Sequence, residues 1–172
     1  MKLKPTFKMP FRRRREGKTD YKKRLKLLSS KKPRLVIRKS LKYIRAQIVD
    51  FDKKGDKTLV FALSKELKKL GWNYSYDNLP ASYLTGLIVG KKALEKGIKE
   101  VVLDFGLSPS TKGSRLYACA KGALDAGLKI NINQELIPSE DRIRGTHIST
   151  FLEKFKKIPE DFEKTKNKIL GG

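Results

Sequence analysis

Residues 33–52, PRLVIRKSLKYIRAQIVDFD, decide how the rest of the chain is read. Successive side chains of a strand point to opposite faces. In the first half, Leu35 and Ile37 share one face while Arg34, Val36 and Arg38 share the other. In the second half, Ile44, Ala46 and Ile48 lie opposite Tyr43, Arg45 and Gln47. KSLK between the halves is short enough to join two antiparallel strands. KKGDK, residues 53–57, is a second turn signal, and TLVFAL after it predicts a third strand. Three strands joined by short turns predict an antiparallel meander.

Downstream the period changes. SKELKKLG reads as a short helix capped by Ser64 and stopped by Gly71, and WNYSYDN as irregular. Pro80 opens a longer helix, ASYLTGLIVGKKALEKG, with Leu84, Leu87, Ile88 and Leu94 near one face. IKEVVLDF predicts a strand and GLSPSTKG a loop. SRLYACAKGALDAG predicts a second helix that buries Leu116, Cys119, Ala120, Ala123 and Leu124 and stops at Gly127. LKININ predicts a last strand. Alternating helices and strands require a parallel portion of the sheet with right-handed crossovers. PSEDRIRGTHIS reads as a turn and a short helix. The charged end, broken at Pro159, reads as a helical tail docked through Phe151, Leu152 and Phe155. The chain thus divides into a basic arm (1–32), an α/β domain (33–150) and a tail (151–172).

The net charge of +23 is unevenly spread. Residues 1–34 carry 15 Lys or Arg against 2 acids, a net +13, and the other 138 residues carry 26 against 16. Such a segment cannot bury itself and is expected to be disordered in isolation, with TDYKKRLKLL able to become a helix capped by Thr19 or Asp20 and docked through Leu25, Leu27 and Leu28. A polyanion relieves the self-repulsion. No apolar run reaches transmembrane length, the N-terminus lacks a signal peptide's apolar core, and the arm lacks the aromatic face of a membrane-surface helix. Nucleic acid is therefore the expected partner, with no membrane. The single cysteine, Cys119, excludes an intramolecular disulfide and reads as a small core residue in a reducing cytosol.

The arm contains GKT, residues 17–19, the tail of a nucleotide-binding P-loop. That motif needs a glycine five positions before its second one, where this chain has Arg12, and a preceding strand, where it has MKLKPTFKMP. A nucleotide site is rejected. Catalysis fares no better. His147 is the only histidine, and no GxSxG elbow supplies a nucleophile. The meander followed by alternating elements resembles a ribonuclease H-like architecture, whose enzymes hold metal ions with carboxylates beginning in the first strand. Here Arg38 stands where an acid is wanted, and Asp104 and Asp125 make no cluster. Asp104 is expected to fix the loop 105–112, and Asp125 to be a surface residue. The expectation is no enzyme, no cofactor, no metal and no small-molecule substrate.

Binding has three candidate surfaces. RRRREGKTDYKKR places eight cations within thirteen residues, plus Tyr21 for stacking. Guanidinium groups pair with phosphate oxygens and stack on bases. The bland alternative is a solvated charge run or a localisation signal. The second surface is the Arg34, Arg38, Tyr43, Arg45, Gln47 face, which could equally be an ordinary solvent face. The third is STKGSR, with Lys112 and Arg115 at a predicted helix N-terminus, which could equally be a plain cap. Neither predicted helix suits a DNA major groove. A basic arm beside a folded body suits structured RNA.

Four stretches occur in an order that resembles a known family: RRRREGKTDYKKRLKLL, NLPASYLTGLIVGKKALEKG, LDFGLSPSTKGSRLYACAKGALDAGL and PSEDRIRGTHIS. They resemble the universal 5S-RNA-binding family of the large ribosomal subunit numbered eighteen, in its archaeal and eukaryotic branch, with archaeal length. The resemblance spans about residues 5–165. It implies a ribonuclease H-like fold of the translational-machinery kind, three-layered, with a mixed sheet of order 3-2-1-4-5 and no catalysis. It implies a cytoplasmic location in the large subunit, seating of 5S rRNA at the central protuberance, contacts to 23S-type rRNA, and neighbouring ribosomal proteins as partners. The arm motif then puts Arg12, Arg13, Arg14, Arg15, Lys18, Thr19, Tyr21, Lys22, Lys23 and Arg24 at the RNA, and the resemblance implies close packing or tight turns at Gly86, Gly113 and Gly122. Ser82, Tyr117 and the NIN at 131–133 depart from the family pattern. The alternative function is a general structured-RNA-binding or chaperone protein.

Overall fold

The computed structural model describes residues 6–171. The meander forms as the alternation requires: β1 is Arg34–Lys39, β2 is Ile44–Asp50 and β3 is Lys57–Leu63. β1 and β2 pair antiparallel with Ile37 opposite Ala46, and β2 and β3 pair antiparallel with a register shift between Ile48 and Val49. β4, Val102–Asp104, lies parallel to β1, with Val36 opposite Asp104. The sheet is mixed, in the order β3-β2-β1-β4.

The predicted fifth strand is reduced to one parallel bridge, Glu100 with Lys129. Lys129 donates to the Lys99 carbonyl at 2.8 Å and accepts from Val101 at 3.1 Å. The pairing goes no further because the next residues are held elsewhere. Asn133 accepts from the backbone of Glu135 to start a 3-10 turn at Gln134–Leu136, and the Leu136 carbonyl is bound by the Gly113 amide at 2.9 Å.

One sheet face carries Leu35, Ile37, Ala46, Ile48, Val60 and Ala62, all buried. Two helices cover it: α3, Leu79–Glu95, and α4, Arg115–Asp125; the labels α1 and α2 belong to the arm helices Arg12–Arg15 and Tyr21–Leu28. Asn78 caps α3 by accepting from Ala81 at 2.8 Å, and Pro80 lies in its first turn, where no N–H is missed. α3 and α4 cross with their backbones almost touching. A Cβ on Gly86 would lie 2.0 Å from the Cys119 carbonyl oxygen, and one on Gly122 2.1 Å from that of Tyr83. Leu94, placed on the buried side by its spacing, is instead 38% exposed near the end of α3.

Two other local expectations are corrected. Ser64 does not cap the segment Ser64–Leu70, a 3-10 helix; it is fully buried and its hydroxyl accepts from the Ile44 amide at 3.0 Å. Glu66 supplies the cap instead, accepting from the Leu63 amide at 2.9 Å. PSEDRIRGTHIS forms two short helices, α5 (Glu140–Arg144) and α6 (Thr146–Phe151), and the tail beyond them forms α7 (Ile158–Gly171). Phe151 is 84% exposed and Leu152 is exposed, so the stripe of Phe151, Leu152 and Phe155 docks only through Phe155. α7 docks with Ile158, Phe162, Thr165 and Ile169, and Phe162 packs its ring 5.6 Å from that of Tyr83. The irregular WNYSYDN is an aromatic bracket: Trp72 is fully buried, and the Tyr74 hydroxyl donates to Asp161 of α7 at 2.7 Å. The two free edges of the sheet differ. Lys92 and Lys96 reach from α3 to donate to the Phe61 and Leu59 carbonyls of β3, at 3.2 and 2.6 Å.

Adding one methyl at the helix crossing tests its closeness. Gly86→Ala gains about 1 kcal/mol of helix propensity, but the overpacking exceeds it. The net loss expected is about 2 kcal/mol, read as a lower urea midpoint at unchanged m-value.

Candidate nucleic-acid interface

The opposite sheet face carries Arg34, Val36, Arg38, Gln47, Val49 and Thr58, and the arm lies across it. Where the sequence predicts an arm without structure of its own, α1 and α2 form. Gly17 turns the chain between them at φ +62°, a left-handed conformation that a side chain resists. Asp20 caps α2, accepting from Lys22 at 2.9 Å and Lys23 at 3.1 Å. Leu27 and Leu28 are half-buried, whereas Leu25 points to solvent.

Ion pairs fasten the arm to the sheet. Arg24 makes a forked pair with Asp56, at 2.9 and 2.7 Å. Asp56 also accepts from Arg34 at 2.6 Å, and Arg34 reaches Asp104 at 2.8 Å. Arg38 donates to the Asp104 carbonyl at 2.7 Å and to its carboxylate at 3.3 Å. The five charges alternate: Arg24, Asp56, Arg34, Asp104, Arg38. A separate bond joins Lys23 to the Gly106 carbonyl at 2.8 Å. Burial alone would raise the Asp56 carboxyl, but the hydrogen bonds from Arg24 and Arg34 outweigh it and hold the group below its usual value. The bond to Asp56 raises Arg24 against the opposing effect of burial.

Arg34 was expected to face RNA. It is 3% exposed and committed to two carboxylates, because its position on β1 lies between the turn after β2 and the end of β4. Arg115 keeps 33% of its side chain exposed while it donates to the Asp77 carbonyl at 2.8 Å and pairs with the Asp77 carboxylate. Tyr43 stacks on Tyr76 at 6.0 Å. Tyr21 packs against Phe11 at 5.2 Å. Arg38 keeps 41% of its side chain exposed.

The arm's own acids are also engaged. Glu16 pairs with Lys18 at 2.8 Å and with Arg12 at 3.5 Å. Arg13 donates to the Thr19 hydroxyl at 2.9 Å. Arg14, Arg15, Lys22, Arg45 and Lys112 are exposed and have no acidic partner among the described residues. Between arm and sheet lies a cavity of about 330 Å³ lined by Arg13, Lys18, Lys23 and Arg38. Asp56 and Asp104 are the anchors that sequence reading missed. The signal for Asp56 was its place in the KKGDK turn beside a strand that begins with Arg.

Asp104 does fix its loop, accepting from the Gly106 amide at 2.8 Å. Its two guanidinium partners leave a positive centre where a nuclease would need a cation. Asp125 is held by Tyr83 at 2.8 Å and Lys121 at 2.7 Å. Burial, then the bond to Asp125, pushes the Tyr83 hydroxyl up; burial pushes the Cys119 thiol up to about 12, so it is an inert core group. His147 is exposed.

An outward row of cations on an arm docked by an ion chain through the buried Arg34 and Asp104 is the kind of surface that nucleic-acid-binding proteins carry. Comparison with known families agrees. The family described as "Ribosomal large subunit proteins 60S L5, and 50S L18" matches residues 5–100. The large ribosomal subunit protein uL18 of Korarchaeum cryptofilum (strain OPF8) is 54% identical over 150 residues, 87% of this chain and 77% of that protein. The chain belongs to the archaeal uL18 family of large-subunit ribosomal proteins. It is a structural constituent of the large subunit of the cytoplasmic ribosome, with rRNA and ribosomal proteins as partners, and its family is not one of enzymes.

Two outcomes check the ion chain. Asp104→Asn leaves Arg34 with a buried charge short of a partner and should lower unfolding free energy by about 3 kcal/mol in urea titrations. The second is a pH effect. The docked value of Asp56 is depressed, so its contribution to docking is complete above the ordinary carboxylate pKa of about 4 and is lost as pH falls through the docked value. Hydrogen exchange corrected for intrinsic rate should show Tyr21–Leu28 losing protection below about pH 4 while α3 keeps it.

Proposed function

We propose that the protein binds 5S rRNA and anchors it to the 23S-type rRNA of the large subunit at the central protuberance. The observation that carries this reading is the docked arm. Its exposed cations, Arg14, Arg15 and Lys22, stand on a segment held to the body by Arg24 and Lys23. Phosphate contacts from such a segment position an RNA by shape. Arg13, Lys18 and Arg38 keep donors at the arm–sheet cavity with Thr19 beside them, while Arg12 is exposed on α1 and Tyr21 packs on Phe11 at the start of α2. Arg45 and Lys112 extend the cationic surface beyond the arm, while Tyr43 offers a ring edge already stacked on Tyr76. Arg34 and Arg115 act by positioning, not by touching RNA.

We also infer that the sheet is of the ribonuclease H-like, five-stranded kind, in which the Glu100–Lys129 bridge stands for the fifth strand. The arm (1–32) is the RNA-binding unit, residues 33–150 its platform, and residues 151–172 a tail that completes the core through α7.

A competition titration tests the RNA reading. Labelled 5S rRNA is challenged with an unrelated structured RNA of equal length across a salt series, for the full chain and for a version beginning at Lys32. Preference for 5S rRNA by orders of magnitude, with affinity and salt slope both reduced by truncation, is the expected result. Equal competition would leave only a generic polyanion grip. Within the same assay, Arg14→Ala should lower the salt slope by about one unit.

A further inference from the structure

The arm covers only part of the outward sheet face. Gln47 lines the cavity beneath it, and the register partner of Gln47 on β3 is Phe61. Directly opposite side chains in a sheet start about 5 Å apart, so the face runs on past the arm without a break. Phe61 is 42% exposed, and among the described residues it is the one exposed large apolar side chain that stands in a strand. Val60 and Ala62 point into the core, so alternation turns Phe61 and Leu63 outward together. The register partner of Leu63 is Arg45, which is exposed on the same face.

The segment after β3 surrounds this ring with charge of one sign. A groove of about 480 Å³ is lined by Phe61, Leu63, Lys65, Glu66, Lys68 and Lys69. The three lysines are exposed and have no acidic partner among the described residues. Glu66, the single acid of the lining, is spent: it accepts from the Leu63 amide at 2.9 Å and from Lys92 at 2.7 Å. An aromatic ring held on a strand, with unpaired cations around it, matches a nucleotide on both counts. The ring takes the face of a base, and the cations take the phosphates on either side.

We propose that Phe61 is a stacking site for an unpaired base of the same RNA that the arm holds, with Arg45, Lys65, Lys68 and Lys69 meeting the adjoining phosphates. This rests on the arm being an RNA-binding segment, and not on that RNA being 5S rRNA.

The test uses large subunits assembled with the full chain carrying a photo-crosslinking residue at Lys22 on the arm or at Lys65 beside the ring. The expected result is that both positions mark the same rRNA. A Lys65 crosslink to a protein, to a different rRNA from the Lys22 one, or to nothing overturns the stacking site. If Lys22 marks an rRNA other than 5S, the 5S reading fails, and the stacking site stands or falls on Lys65. If Lys22 marks no RNA, both fall. Binding titrations then use the rRNA that Lys22 marks. Phe61→Leu keeps apolar bulk without the ring and should weaken binding about tenfold, with the salt slope unchanged because no cation is lost. Phe61→Tyr restores the ring and should bind within about twofold of the parent chain. Lys65→Gln with Lys68→Gln should lower the salt slope by about two. A Leu variant as tight as the parent, a Tyr variant as weak as the Leu one, or a slope untouched by the lysine changes overturns the proposal.

Discussion

A guanidinium out of water must be matched by carboxylates or not be there at all. Arg34 is that group, and much of the molecule is arranged around it. Its side chain needs the turn after β2 to deliver Asp56 and the parallel pairing of β1 with β4 to deliver Asp104. Once both are present, Asp56 has an oxygen to spare for Arg24 and Asp104 for Arg38. The arm is therefore held by the same charges that settle the middle of the sheet. The exposed cations of the arm and its paired cations are different side chains on the same few residues of chain.

The meander was readable because each strand alternates cleanly and each turn is short. The strand faces were right too: Arg34, Val36 and Arg38 do lie together, opposite Leu35 and Ile37. What alternation cannot supply is the partner across space. Asp104 is 70 residues from Arg34, and nothing local marks it as the counter-charge. The sequence therefore shows a basic face but not which of its cations are spent inside. The partner of Arg115 is equally unmarked, since Asp77 precedes the other helix. In the tail, Pro159 lies in the first turn of α7, where a proline begins a helix, and Ile158, Phe162, Thr165 and Ile169 dock at helical spacing. The fifth strand is reduced to one bridge although LKININ has the right alternation, and its last residue, Asn133, caps the following turn.

The helical layer solves a different problem. α3 must bury side chains against the sheet on one side and against α7 on the other, while α4 lies directly beside it. Gly86 and Gly122 let the two backbones meet, so the space saved by missing methyls is filled by Leu84, Leu87 and Leu116. Cys119 and Ala123 belong to this contact, which explains a free thiol with no chemistry to perform.

The sealed edge of β3 has a consequence for the life of the chain before assembly. Sheets that stack edge to edge into filaments need two open edges per molecule, one to join and one to be joined. Lys92 and Lys96 remove one of them by occupying its carbonyls. With that strand closed, edge-to-edge growth lacks the second opening it requires.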